Sequence, residues 1–385
     1  MKQQNKVIFS INGSVNHCGV DEYTLILEKA LSDNYEFIHM VRKNSDICKI
    51  LKKNGSKIVY LEKNLIKTII TLKKTYNKLQ PYYIIIHTAK EYFLIFFYKL
   101  FFDSKIILVR HNSYKLNYFP NLFFLKMADL IITPSYYCAN VLKSQFPEFS
   151  SKIRVIYNTI DKIDDILSDN LNQSKSLNCS FSNDIFAFEN ITDNFSGKKI
   201  KKITLGFLGR ITKQKGIELL IDVLKELKEL DSRVYWKLLV GGKFDSISYE
   251  NYIKKMVELK ELSQNIVFLG FIEDKKKFFD SIDICVIPSL NAVRETFGLV
   301  AIESIKNEKP VIAMSSGALN EILSYGPSAT ICFNETFGAL AKTILLLKDE
   351  RLRQKYVKNG TILLKTIFSV ERFSDQYKYL LDNLI

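Results

Sequence analysis

Short runs of Ile, Val, Leu and aromatic residues recur along this chain, separated by segments whose apolar residues repeat at helical spacing. In the first half the runs are Val7–Ile11, Phe37–Val41, Ile58–Leu61, Tyr83–His87, Ile106–Val109, Leu130–Thr133 and Ile153–Tyr157. In the second half they include Ile203–Leu208, Trp236–Val240, Ile266–Leu269, Asp283–Ile287 and Pro310–Ala313. Continuous apolar strands alternating with amphipathic helices specify parallel sheets covered on both faces. Such sheets need a large core, and a chain of 385 residues with 47% hydrophobic residues can build it. That length suits one or two domains, and no repeat of roughly 20 to 50 residues is evident.

A change of composition marks the division. From about Asp161 to Gly197 the chain is rich in Asp, Asn and Ser without a sustained period, and residues 164–200 carry six acidic and three basic side chains. Loops of this length are uncommon inside a compact domain. The expected organisation is therefore a first α/β domain over 1–163, a polar linker or surface insertion over 164–200, a second α/β domain over 201–369 and a terminal helix over 370–385. That helix carries Phe373, Tyr377 and Leu380.

Several classes are disfavoured. No G-x-G-x-x-G follows the first strand, which argues against a nicotinamide oxidoreductase, and no P-loop sequence is present. A strict D-x-D is also missing, so no metal site and no cofactor are expected. Six cysteines at 18, 48, 138, 179, 285 and 332 form no C-x-x-C pair, which favours neither zinc nor disulfides and points to a reducing cytoplasm. The start, MKQQNKVIFSINGS, holds one short apolar run that reads as a strand rather than a signal peptide.

Two clusters carry chemistry. Glu295 and Glu303 flank Phe297-Gly298-Leu299, in a loop and a helix start that follow the strand Asp283–Ile287. Backbone amides at a helix start bind anions, and carboxylates accept hydrogen bonds from hydroxyls. The pair therefore suits a ligand that is part phosphate and part polyol, although acids near a helix start also serve the helix dipole alone. The second cluster is Gly209-Arg210 and Lys215-Gly216, between the strand Ile203–Leu208 and an amphipathic helix. Ligands of open parallel sheets bind at such strand-to-helix loops, and Arg and Lys there would meet phosphate oxygens.

Together the clusters resemble the donor domain of glycosyltransferase family 4, the glycosyl transferases group 1. The matching pieces, in the family's order, are GRITKQKG, KLLVGG, NIVFLGFI, DICVIPS, ETFGLVAIES, KPVIAMSSGALNEIL and FSVERF. The first half matches more loosely through PYYIIIHTAK, KIILVRHNSY, ADLIITPSYY and KIRVIYNTID. The resemblance implies the α/β GT-B fold, two Rossmann-like parallel-sheet domains facing a central cleft. It assigns acceptor binding to 1–163 and nucleotide-sugar binding to 201–369, with 370–385 crossing back to the first domain. It also implies a retaining, metal-independent hexosyltransferase. That enzyme would move a sugar from a nucleotide-diphosphate sugar to a glycan or lipid-linked saccharide, in bacterial lipopolysaccharide or capsule synthesis.

By the same resemblance Arg210 and Lys215 would hold the diphosphate, while Glu303 would grip the ribose and Glu295 the transferred sugar. Amides around Phe297, Gly298, Leu299 and Gly19 would add donors. His111, after the strand Ile106–Val109, would approach the sugar hydroxyls, and the backbone at Phe271 would lie near the base. The chain departs from the family in two places. Cys18-Gly19 stands where a double glycine is usual, and Thr159 replaces a glycine after Asn158. Each candidate keeps a plainer alternative: Gly19 as a turn, His111 as a structural hydrogen bonder, Phe271 as a core aromatic. His87 reads as structural.

Two further function classes stay open, a nucleotide-sugar epimerase of the same fold and a non-catalytic nucleotide-sugar-binding subunit. An epimerase would need acids and bases in the first domain, and no convincing set is present. The net charge of +14 is concentrated in 1–163, which holds 24 basic and 12 acidic residues. An anionic membrane surface or a lipid-diphosphate acceptor, nucleic acid, or a merely solvated surface would each account for it; nucleic-acid binding ranks third among the function classes, and no nucleic acid is expected as a partner. The aromatic stretches Tyr92–Phe102 and Tyr114–Leu125 read either as core or as peripheral membrane contacts. The expected location is cytoplasmic, with or without attachment to the inner face of the cytoplasmic membrane.

Overall fold

The computed structural model describes residues 6–16, 18–62, 64–101, 103–160, 201–290, 294–324, 330–333 and 337–384. The expected linker over 164–200 and Asp161 lie outside the described residues. The chain divides into two compact units, 1–160 with 367–385, and 161–366.

In the first unit the elements run β1 (Lys6–Asn12), α1 (Gly19–Leu31), β2 (Tyr35–Arg42), α2 (Asp46–Lys53), β3 (Lys57–Leu61), α3 (Leu65–Leu79) and β4 (Tyr83–Ile86). They continue through α4 (Leu94–Phe101), β5 (Lys105–Val109), α5 (Tyr118–Met127), β6 (Leu130–Thr133), α6 (Tyr136–Gln145) and β7 (Ile153–Val155). The seven strands form one sheet in the order β3-β2-β1-β4-β5-β6-β7, all pairs parallel. The strand interiors are buried apolar runs, as two covered faces require.

The second unit holds β8 (Lys201–Leu208), α7 (Ile217–Leu230), β9 (Val234–Gly241), α8 (Ile247–Leu259), β10 (Ile266–Gly270), α9 (Lys275–Asp280) and β11 (Ile284–Ile287). There follow α10 (Leu299–Lys306), β12 (Val311–Met314), α11 (Leu319–Leu323), β13 (Thr330–Phe333), α12 (Phe337–Leu346) and α13 (Glu350–Thr366). Its six-stranded sheet has the order β10-β9-β8-β11-β12-β13, again all parallel. Leu220, Val223, Leu224 and Leu227 of α7 bury their spaced face against Leu205, Phe207 and Trp236.

Each sheet reverses direction of strand addition once, between β1 and β4 in the first and between β8 and β11 in the second. Adjacent loops diverge at such a switch point and leave a crevice beyond the carboxyl ends of the strands. Every expected strand is present to within about two residues at its ends. The additional strand β13 was not expected, its short run lying among polar and glycine-containing segments.

The last helix, α14 (Val370–Asp382), belongs to the first unit. It lies on α1, where Tyr377 and Tyr23 share a hydroxyl hydrogen bond and Ser374 Oγ donates to the Ala30 carbonyl at 2.6 Å. Phe373, Ser374, Tyr377 and Leu381 are its buried residues, so the inward face ends on Leu381 rather than Leu380.

Candidate functional site

Three loops meet beyond the carboxyl end of the second sheet. The loop after β8 carries Arg210 and Lys215, that after β11 carries Ser289 and Glu295, and that after β12 carries Ser316 and Gly317. Backbone hydrogen bonds lock them together: Leu290 N donates to Gln214 O at 2.9 Å, and Ala318 N to Glu295 O at 2.7 Å. Ser316 Oγ donates to Leu290 O at 2.9 Å. Gly317 sits at φ 56°, and a Cβ there would lie 2.2 Å from Glu295 O and 2.6 Å from Glu295 N. Only glycine tolerates both the left-handed backbone and that approach, so Gly317 sets where the Glu295 backbone rests.

The side chains converge as well. Lys215 Nζ forms an ion pair with Glu295 Oε1, and Ser289 Oγ donates to the same oxygen at 2.8 Å. Both ionic partners are half-buried, so the pair is fixed yet open on one side. Lys ammonium carries three donors, which leaves Lys215 able to hold Glu295 and an anion together. Arg210 is exposed and has no hydrogen bond or ion pair among the described residues. Of these two cations Lys215 is committed to Glu295, and Arg210 is uncommitted among the described residues.

Helix starts supply neutral donors. Gly298 caps α10 at φ 84°, a left-handed backbone that favours glycine. Leu299 opens the helix; the Ala301 amide donates to Gly298 O at 2.9 Å, which leaves the amides of Leu299 and Val300 as its first-turn donors. The Phe297 side chain is buried in the core and offers only its backbone to a ligand. Gly216 caps α7, adding a second helix start beside Lys215.

Glu303 is on the second turn of α10 and is 4% exposed. Its Oε1 accepts from Lys275 Nζ at 2.7 Å. Lys275, the first residue of α9, went unremarked as a site residue in the sequence, where it is one of three consecutive lysines. Ser289 and Gly317 were likewise not singled out, although both lie inside the matching segments. Phe271 is 52% exposed, which overturns the alternative of a core aromatic; the Lys243 ammonium lies 5.2 Å from its ring centroid.

In the first unit Gly19 is the first residue of α1. The amide of Cys18 is taken by Asp21 Oδ2 at 3.1 Å, so the cysteine that stands for a glycine offers no free donor. Asp21 is itself buried and bound by Asn12 Nδ2 at 2.9 Å. His111 follows β5 and packs edge-on against Tyr23 of α1, centroids 4.6 Å apart. Its Nε2 is buried with no hydrogen-bond partner among the described residues. Burial, with Arg110 beside it, lowers the His111 pKa to about 3, so the ring is neutral. His87 stacks on His111 at 5.8 Å, and its Nε2 lies 3.1 Å from Ser10 Oγ, the structural part expected of it.

Two parallel sheets of Rossmann type, with charged loops at the carboxyl end of the second, define the GT-B class. The fold is shared with Anabaena Alr3699/HepE, solved in complex with UDP-glucose: TM-score 0.76 over 98% of this chain and 99% of that one, at 16% identity. A family model for glycosyl transferases group 1 matches residues 189–362, and one for Glycosyltransferase Family 4 matches residues 53–162. The chain belongs to the family 4 type of glycosyltransferases. It is 27% identical over 268 residues to the alpha-1,3/1,6-mannosyltransferase ALG2 of Homo sapiens, a match covering 67% of this chain and 60% of the relative. It is 32% identical over 182 residues to the capsular polysaccharide biosynthesis glycosyltransferase CapM of Staphylococcus aureus, covering 46% and 43%. The match thus spans less than two thirds of either relative's length.

Proposed function

We propose that this protein is a retaining, metal-independent glycosyltransferase that moves a sugar from a nucleotide-diphosphate sugar to a glycan or lipid-linked saccharide. The observation that carries the reading is the Lys215–Glu295 pair held among three locked loops, with two helix starts and the uncommitted Arg210 on the same loops. Arg210, Lys215 and the amides at Gly298 and Leu299 take the diphosphate and offset its charge as it leaves. Those fixed cations do the work a metal would do. Glu303, oriented by Lys275, accepts from the ribose, and Phe271 borders the base. Glu295, oriented by Ser289, accepts from the sugar and favours positive charge developing on it. Within the first unit, the neutral His111 keeps an unpartnered nitrogen able to meet a hydroxyl, and Gly19 offers a helix-start amide.

CapM acts in capsular polysaccharide biosynthesis by its name, which supports a place in the synthesis of bacterial capsule or lipopolysaccharide. In that setting the protein works in the cytoplasm, in peripheral contact with the inner face of the membrane that carries the acceptor. No described helix is long and apolar enough to cross a membrane.

Thermal shift with UDP-, GDP- and ADP-sugars identifies the donor, since a ligand at 100 times its Kd stabilises by about 2.7 kcal/mol. Release of nucleotide diphosphate and the anomeric configuration of the product then test transfer and retention. A protein that binds no nucleotide-sugar, or that inverts the anomeric carbon, removes this reading.

A further inference from the structure

The outer face of α4 and α5 carries side chains that the core does not use. In α5, Asn121 and Leu125, with Ala128 just beyond, point inward, and the opposite stripe is Phe119, Phe123 and Lys126. Phe119 is 75% exposed and Phe123 60%. In the neighbouring α4, Ile95 and Tyr98 are buried while Phe96 and Lys99 face out. Tyr114 and Lys115, just before α5, are also exposed.

This is an ordered face. The loop into α5 is clamped by Gln145, whose amide donates to Leu116 O and accepts from Leu116 N at 3.0 Å. Arg110 donates to Tyr114 O from the other side, and Tyr118 lies flat on Phe146 at 5.2 Å. The aromatics are therefore held outward by a fixed backbone.

Charge selects the occupant. On this face the basic side chains are Lys99, Lys115 and Lys126; Arg110 is buried and Lys105 begins β5. Lys115 and Lys126 have no ion-pair partner among the described residues, whereas Lys99 is held by Asp129 at 2.9 Å. An amphipathic surface of aromatic tips with flanking lysines fits the boundary between anionic headgroups and acyl chains. Resting on the membrane contact proposed above, we infer that the α4–α5 face is the part of the protein that enters an anionic bilayer. Phe119, Phe123 and Phe96 insert, and Lys115 and Lys126 stay at headgroup level.

The test is co-sedimentation of the full chain with phosphatidylglycerol–phosphatidylcholine vesicles and with phosphatidylcholine vesicles alone. The expected result is pelleting with the first, weakened by salt. The pair Phe119→Ser with Phe123→Ser lowers vesicle affinity about tenfold or more. Lys115→Gln with Lys126→Gln lowers it and also flattens its salt dependence. Both variants keep the melting temperature and the nucleotide-diphosphate affinity of the parent, since their side chains are exposed and lie in the first unit. Equal pelleting of parent and phenylalanine variant overturns the inference, as does equal binding to both vesicles. So does a dimer in sedimentation velocity that the phenylalanine variant dissolves, because the face would then join two copies of this chain. Vesicle binding in a protein without transferase activity would leave this face assigned and remove only the catalytic reading.

Discussion

Lys215 would serve two anions under the proposed function. It is paired with Glu295, and in the proposed function the diphosphate is its second anion. Lys215→Ala removes a phosphate contact and leaves Glu295 with Ser289 alone. Arg210→Ala removes a charge that holds nothing else among the described residues. Each change is expected to lower turnover by about 10²–10³, with Lys215→Ala the more damaging of the two in initial rates. The two glutamates separate differently. Glu303→Gln weakens both nucleotide diphosphate and donor, because the ribose is common to them, and it also loosens Lys275. Glu295→Gln leaves nucleotide affinity close to normal and lowers kcat. Calorimetry with nucleotide diphosphate and rates with donor check this; exchange of the two patterns would exchange the roles. His111 provides the pH dependence. Its pKa lies near 3 in the folded chain against 6.5 unfolded. Between those values the unfolded chain binds a proton that the folded ring refuses. Stability therefore falls as pH drops through this window, by up to about 1.4 kcal/mol per unit. His87, lowered by burial, adds in the same direction. Melting curves at about pH 7 and pH 5 should separate more for the parent than for His111→Gln.

At the scale of elements, the site depends on loops whose shape is set by glycine. Gly317→Ala puts a methyl against the backbone of Glu295 and forces an alanine into a left-handed conformation. The strain alone is worth about 1–3 kcal/mol, and the displaced Glu295 adds a loss of turnover out of proportion to it. Denaturant unfolding measures the first and initial rates the second; an alanine variant with parental kcat would show that Glu295 is positioned otherwise. The aromatic stretch Tyr92–Phe102 divides by face. Tyr92, Leu94, Ile95 and Tyr98 are core, and Phe96 is exposed. The core and membrane alternatives were both drawn from composition, which cannot assign a face. Helical geometry on a buried sheet assigns one residue at a time.

At the scale of the molecule, the chain returns from the second unit to finish in the first. Phe373 is buried and meets Tyr23 edge-on at 5.6 Å, and Tyr83 Oη donates to Leu381 O at 2.7 Å. Phe373→Ala is expected to cost about 3–5 kcal/mol, read as a lowered melting temperature. Nucleotide-diphosphate affinity should persist, because the donor loops belong to 161–366. Loss of that affinity at temperatures where the variant stays folded would tie the last helix to the donor loops. Activity should also survive excess chelator, with Arg210 and Lys215 as the fixed cations. Complete loss restored by magnesium or manganese would contradict the metal-independent reading.

What the sequence by itself determined was local and periodic. A strand of a parallel sheet is an apolar run, so β1 to β12 could be read off directly, and the 3.6-residue pattern after Gly216 marked its helix. The helix starts at Gly216 and Gly298 were legible because glycine and a following amphipathic run are neighbours in the chain. Only the tertiary structure decided which distant groups meet. Lys215 and Glu295 are 80 residues apart, and nothing local in either segment encodes their pairing. Lys275 meets Glu303 because parallel strands bring their carboxyl-end loops to one edge. Phe271 could have been core or surface, since an aromatic after a strand has the same appearance in both cases. The outward turn of Phe119 and Phe123 also waited for the fold, because which face of a helix is buried depends on the surface it packs against.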